Sequence, residues 1–272
     1  MTVNDVPAAL EALRADRAED IDVGVDFLHA RLAGLPEAEL RAATEALCTL
    51  FYVDTQDRPD LQPSLERAVQ ALASVGSRII PHLLDLMKGS DMKSHFHLAR
   101  TLGVIGRTAL PTLRRFIATE DDHYSRSFAL FAVGKIRDPE VREALPEVIG
   151  SLMHPDKEVR DSAARALGKI TEHVPAELVS EPRRAEMFEA LFRSLTDVHS
   201  AVRAKAVRSL GKMARTGYLA PEHVDRAFAA AVRILGRDEA YEWDRAYIVR
   251  REAEEALRHL EARRFGRPVE AG

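Results

Sequence analysis

The stretch HPDKEVRDSAARALGKI, residues 154–170, carries the pattern on which the fold turns. With Arg160 as position zero of a unit, apolar or small residues stand at Val159, Ala163, Ala166, Leu167 and Ile170. Steps of three and four put all five on one side of an α-helix. The template recurs along the chain. Arg126 heads a copy with Ala129, Ala132, Val133 and Ile136, and Arg203 heads one with Val202, Ala206, Leu210 and Met213. His95 heads a weaker copy (Leu98, Leu102, Ile105) and Leu65 a degenerate one (Ala68, Ala71, Leu72, Val75). A last copy follows Val249 and Arg250, with Ala253, Ala256, Leu257 and Leu260. Gly103, Gly134, Gly168 and Gly211 share one slot, at spacings of 31, 34 and 43 residues. Repetition at this period indicates stacked helical units.

A second signature precedes each of three copies. Ile80-Pro81-His82-Leu83, Leu110-Pro111-Thr112-Leu113 and Leu145-Pro146-Glu147-Val148 share an apolar-Pro-x-apolar pattern. From each proline to the next slot glycine is 22, 23 and 22 residues. Proline is tolerated in a first helical turn and kinks a helix further in, so each unit has a late-starting or kinked first helix before its straight second one. Asp91, Asp122 and Asp156 stand four residues before position zero. They suit N-caps, or a turn-to-turn ladder with Arg126, Arg160 and Arg203 of adjacent units.

These motifs resemble the HEAT-repeat family, in particular its short bacterial variety named after phycobilisome lyases. Leu145-Pro146, Asp156, Val159-Arg160, Ala163, Ala166-Leu167-Gly168 and Ile170 carry the resemblance, which covers residues 61–215. It implies an all-α fold, an α-α superhelix or solenoid of about five to six helix pairs. Residues 1–60 read as an N-terminal helical cap, with periodicity at Leu40, Ala43, Ala46, Leu47 and Leu50. Residues 216–272 read as a C-terminal capping helix pair. The 43-residue spacing reflects an insertion at 171–186, where Pro175 and Pro182 mark an extended linker.

Composition fits this reading. Of 272 residues 46% are hydrophobic, but only 6% are aromatic, so the core rests on aliphatic residues and alanine, which lets helices approach closely. The net charge is −4, from 39 basic and 43 acidic residues, which excludes a globally basic nucleic-acid binder. The single cysteine, Cys48, falls in an apolar run and reads as a small buried hydrophobe; a chain without a disulfide suits a reducing compartment. No signal peptide and no membrane span are expected, and the chain reads as cytoplasmic.

In such arrays the second helices line the concave surface, where extended partners dock. Positions +1, +5, +9 and +12 of the four central copies point away from the core. Those slots hold Phe96, Arg100, Val104 and Arg107; Ser127, Phe131, Lys135 and Asp138; Asp161, Arg165, Lys169 and Glu172; Ala204, Arg208, Lys212 and Arg215. Eight are basic and three acidic, a local excess on an acidic chain. The candidate binding residues are Arg100, Phe131, Lys135, Arg165, Lys169, Arg208 and Lys212. They suit an acidic surface or a phosphate backbone, although a charged helix face is commonly only a solvated one. Reversing Arg165, Lys169 and Arg208 is expected to weaken binding and spare the melting temperature.

No catalytic signature, cofactor motif or metal-ligand pair stands out. His95 and His97, two apart, diverge on a helix, and the His-Glu pairs by which HEAT-type hydroxylases hold iron are absent. Trp243, Tyr241 and Asp244 share only composition with the site of HEAT-like DNA glycosylases. The plainer reading is a last helix whose aromatics seal the end of the array. The expectation is a non-enzymatic scaffold or adaptor for a protein partner with an acidic surface. Nucleic-acid binding, with or without glycosylase chemistry, is the first alternative; chromophore-lyase activity, implied by the resemblance alone, is the second.

Overall fold

The computed structural model describes residues 2–89 and 91–266. The chain divides into two units. The first, Met1–Thr112, contains α1 (Val6–Ala12), α2 (Ala18–His29), α3 (Glu37–Thr49), α4 (Gln62–Ser74), α5 (Ile80–Gly89) and α6 (Met92–Ile105). The boundary falls inside α7 (Leu110–Thr119). The second, Leu113–Gly272, continues with α8 (His123–Val133), α9 (Leu145–Ser151), α10 (Lys157–His173), α11 (Glu181–Ser194), α12 (Ser200–Arg215), α13 (Pro221–Ile234) and α14 (Tyr247–Phe265). An isolated bridge between Leu235 and Trp243 is the one β-type pairing among the described residues.

In the first unit α1 packs on α2, α3 on α4 and α5 on α6, while α2, α4 and α6 lie side by side in one layer. In the segment read as a cap, Leu40, Ala43 and Leu47 are buried on α3, which packs on α4. In the second unit α9 packs on α10, α11 on α12 and α13 on α14, and α8, α10, α12 and α14 stack in order. Among the described residues, chain order gives seven α-helix pairs, where the repeat template counts about five to six.

The prolines explain how the first helices begin. Pro81, Pro111 and Pro146 each occupy the second residue of their helix, after a 3-10 turn at Gly76–Ile79, Gly106–Ala109 or Pro139–Ala144. A first-turn proline loses no helical hydrogen bond, so the first helices start late and are not kinked. Gly106 enters its turn at φ +77°, a conformation that disfavours a side chain.

The aspartates at −4 are N-caps. Asp91 accepts from the Ser94 amide, Asp122 from Ser125, and Asp156 from Glu158 and Val159. Replacing Asp156 with Ala is expected to cost about 1 kcal/mol, read as a lower urea midpoint at unchanged slope.

A turn-to-turn ladder exists as well, but it uses other aspartates. Arg160 donates from Nε to Asp197 at 2.6 Å and from Nη2 at 3.1 Å. Arg203 makes the same fork to Asp244, at 2.7 and 2.9 Å. Each arginine also clamps its own preceding turn, Arg160 on the carbonyls of His154 and Pro155, and Arg203 on those of Asp197 and Val198. Asp197 and Asp244 stand six residues before position zero of their units, a place that His154 takes in the preceding copy.

The slot glycines sit where successive second helices of the second unit pass close to one another. A Cβ on Gly134 would lie 3.3 Å from Ala166 Cα and one on Gly211 2.8 Å from Ala256 Cα, while one on Gly168 would run into the Ser209 hydroxyl. The Ser209 hydroxyl crosses the same seam to donate to the Ala164 carbonyl at 2.8 Å. Backbones this near each other gain dispersion contacts that side chains would prevent.

The insertion is shorter than expected as a linker. α10 runs to His173, Ala176–Leu178 is a 3-10 turn, and Pro182 already lies in the first turn of α11. The connection is tied down by burial of Val174 and Val179, and by a hydrogen bond from the buried Tyr218 hydroxyl to the Val174 carbonyl at 2.8 Å. The 43-residue spacing therefore comes mostly from longer helices.

Candidate binding surface on the second helices

In the second unit α8, α10 and α12 bring six of the expected site residues onto one layer. Phe131 and Lys135 follow one another by a turn at the end of α8, and the Lys135 ammonium lies 5.0 Å from the Phe131 ring centre. The Arg165 guanidinium, from α10, lies 6.0 Å from the same ring. Phe131 is half-buried and Lys135 exposed. One ring thus carries two cations from adjacent helices, an arrangement that favours flat cationic contact.

Arg165 and Lys169 are held loosely, by acids on their own helix. Arg165 stands 3.8 Å from Asp161 and Lys169 2.7 Å from Glu172. Their side chains are about two-fifths exposed, 41% and 42%. The acids Asp161 and Glu172 are only 15% and 16% exposed, but with the cation this open to water each pair contributes on the order of 1 kcal/mol. Their cations are therefore available to exchange partners.

Arg208 and Lys212 differ. Arg208 makes a two-pronged pair with Glu252 of α14, both contacts at 2.5 Å, and Glu252 is only 3% exposed. Lys212 reaches Glu172 of α10 at 3.1 Å and is 17% exposed. Burial lowers the Lys212 pKa, while the Glu172 contact opposes that shift. Burial would raise Glu172 and Glu252, but hydrogen bonds from Lys169 and Lys212, and from Arg208 and Arg251, outweigh it and lower both carboxyls. These two cations tie neighbouring helices together. Reversing Arg208 would press two carboxylates into one buried place, so the expectation of an unchanged melting temperature does not extend to it.

The expected site residue of the first unit, Arg100, is also a tie. It makes a fork-to-fork pair with Glu66 on α4, and the interaction holds Glu66 below the usual carboxylate range. Beside it Phe96 and Val104 are exposed.

Two of the sixteen outward slots are closed. Ser127 and Ala204, both at +1, are buried. A helix inside a layer has neighbours on its flanks as well as a core beneath, so the open arc is narrower than a single-helix wheel implies. The acids Glu66 and Glu252 went unseen for a related reason: they lie in the degenerate first and last copies, outside the four compared.

The other singled-out residues fall elsewhere. Cys48 is buried, and burial, with Glu45 nearby, pushes its thiol up to about 12. His97 stacks on Phe51 at 4.9 Å and His82 stands 3.5 Å from Glu45. Among the described residues no three His, Cys, Asp or Glu are grouped to hold a metal ion, and no helix is long and apolar enough to cross a membrane. Trp243, Tyr241 and Tyr247 are exposed and do not seal the core. Residues of α14 such as Ala253, Ala256 and Leu260 do so instead. Asp244 accepts both prongs of Arg203 and the Ala246 amide, so its carboxylate is committed to structure.

Known proteins of this build are all-α repeat arrays. Residues 117–181 match the family model described as HEAT repeats, and the fold is a helical-repeat solenoid. No curated protein matches it. Among solved structures it is similar to importin beta, at 18% identity over 95% of this chain and 36% of that one, with a TM-score of 0.60. It is also similar to the CpcE–CpcF complex of phycocyanin lyase from Nostoc sp. PCC7120, at 19% identity over 66% of this chain and 98% of that one, with a TM-score of 0.53. A third is Kap95p, at 16% identity over 95% and 36%, with a TM-score of 0.57. These likenesses concern the fold.

Proposed function

We propose that the chain is a non-enzymatic scaffold that binds a protein partner through the second-helix layer of its Leu113–Gly272 unit. Phe131, Lys135, Arg165 and Lys169 make the contact, and Arg208 and Lys212 hold the layer beneath it. The observation that carries the reading is the Phe131 ring flanked by Lys135 and Arg165 from two helices. Half-buried aromatics beside arginine are the usual anchors of protein interfaces, and loosely paired cations favour a carboxylate-rich partner. A protein of the same fold, Kap95p, binds RanGDP, which supports a partner-carrying role.

The test begins with affinity capture from the native cell and proceeds to the Kd of the captured partner. Joint reversal of Lys135, Arg165 and Lys169 to Glu is expected to weaken that Kd by tenfold or more. Stability should stay within about 0.5 kcal/mol per site, as for surface changes. Equal affinity for the reversed protein would refute the surface. A gel shift with DNA or RNA whose affinity falls steeply with added salt would instead identify a polyanionic nucleic acid.

A further inference from the structure

A cavity of the second unit lies on the first helices, away from the surface just described. α9 packs on α11, but between α11 and α13 lies an open groove of about 740 Å³, reaching the end of α14. α13 explains its apolar floor. It buries Val224, Ala227 and Ala231 at one helical spacing. It carries a second apolar stripe, Phe228 and Val232, which lines the groove instead. Phe192 on α11 and Leu195, the residue that caps its C-terminus, line the facing side. Apolar residues spaced by three and four on both walls match the face of a single inserted helix.

The charges on the rim select the occupant. Arg226 lies over the Phe192 ring at 4.6 Å and Arg264 over the Phe228 ring at 4.5 Å. With each guanidinium over a ring, its N–H groups still reach carboxylates, and they now hold Glu189 and Asp225 in exposed pairs. Arg233, 75% exposed, stands 3.8 Å from Asp238. All three pairs are of the weak, exchangeable kind. The three lining arginines face two lining acids, Asp225 and Asp238.

We infer that this groove docks one amphipathic α-helix of a protein partner, apolar on one face and flanked by carboxylates that pair with Arg226, Arg233 and Arg264. The occupant is a protein helix distinct from whatever the second-helix layer binds, and neither surface requires the other.

The probe is a synthetic helical peptide of about 16 residues, with Leu at i, i+3, i+4 and i+7 and Glu on its flanks. It is compared with the same peptide carrying Lys in place of Glu. Fluorescence anisotropy with the full chain should saturate for the Glu peptide below about 100 µM, with the Lys peptide at least tenfold weaker. Ala229→Glu places a charge on an exposed position of the floor and should weaken the Glu peptide about tenfold at unchanged circular dichroism. Arg233→Glu, on the rim, should weaken the Glu peptide and strengthen the Lys peptide. Failure of the Glu peptide to saturate, indifference to both variants, or no preference between the peptides would overturn the inference. So would concentration-dependent self-association of the wild type that Ala229→Glu abolishes, since a second copy would then be the occupant.

Discussion

Gly211→Leu should lower the stability of the chain by about 3 kcal/mol, among the largest losses expected from any single substitution. The first added atom would already lie 2.8 Å from Ala256 Cα and Cβ. Those are backbone and near-backbone atoms of a buried residue on α14 and cannot rotate aside. α12 and α14 must separate, and the apolar contacts of Val249, Ala253, Leu257 and Leu260 weaken together. For a protein of 150–250 residues the loss corresponds to a Tm lower by roughly 6–12 °C. Gly150→Ala is the control. Gly150 is an exposed helical glycine with no atom within 4 Å of an added Cβ. That variant should be stabilised by up to about 1 kcal/mol through helix propensity. If Gly211→Leu melts with the wild type, the second helices do not approach as closely as described.

Arg203→Ala should cost about 3 kcal/mol by a different route. The side chain makes four hydrogen bonds, two to Asp244 and two to turn carbonyls, and both partners of the ion pair are under a fifth exposed. Removing one partner of such a pair strands the other charge, which is why the loss exceeds that of an exposed pair. The double variant Arg203→Ala with Asp244→Ala should recover part of it. Acid gives an independent check. Burial raises Asp244, but hydrogen bonds from Arg203 and the Ala246 amide, with the charge of Arg203, bring its pKa below the ordinary 3.8. A carboxyl depressed in the folded state contributes stability above its unfolded value and loses it as pH falls through the folded one. The gap between variant and wild type should therefore be full at neutral pH and shrink below about pH 4.

Much of this was legible from residue spacing. The second helices, the late first helices and the aspartate caps follow from local rules: a period of 3.6, proline in a first turn, and a carboxylate before free amides. What was not legible depends on neighbours distant in sequence. Whether Arg208 faces a ligand or Glu252 is decided by the packing of α12 on α14, 44 residues apart in that pair. Asp197 and Asp244 were passed over as ladder partners because their place at −6 is filled by His154 in the clearest repeat. The groove between α11 and α13 left no motif, since Phe228 and Val232 belong to no repeat template. Trp243 drew attention by rarity, a property of composition that says nothing about exposure.

The proposed function divides labour within one basic row: Lys135, Arg165 and Lys169 would meet the partner, while Arg208 and Lys212 hold helices together. Two charge-reversed proteins separate these roles most directly, one altered at the first three positions and one at the last two, each measured for partner Kd and for Tm. The first set should lose affinity by tenfold or more and keep its Tm, and the second should melt several degrees lower. Both sets melting alike, or the first set binding as tightly as the unaltered chain, would contradict that division.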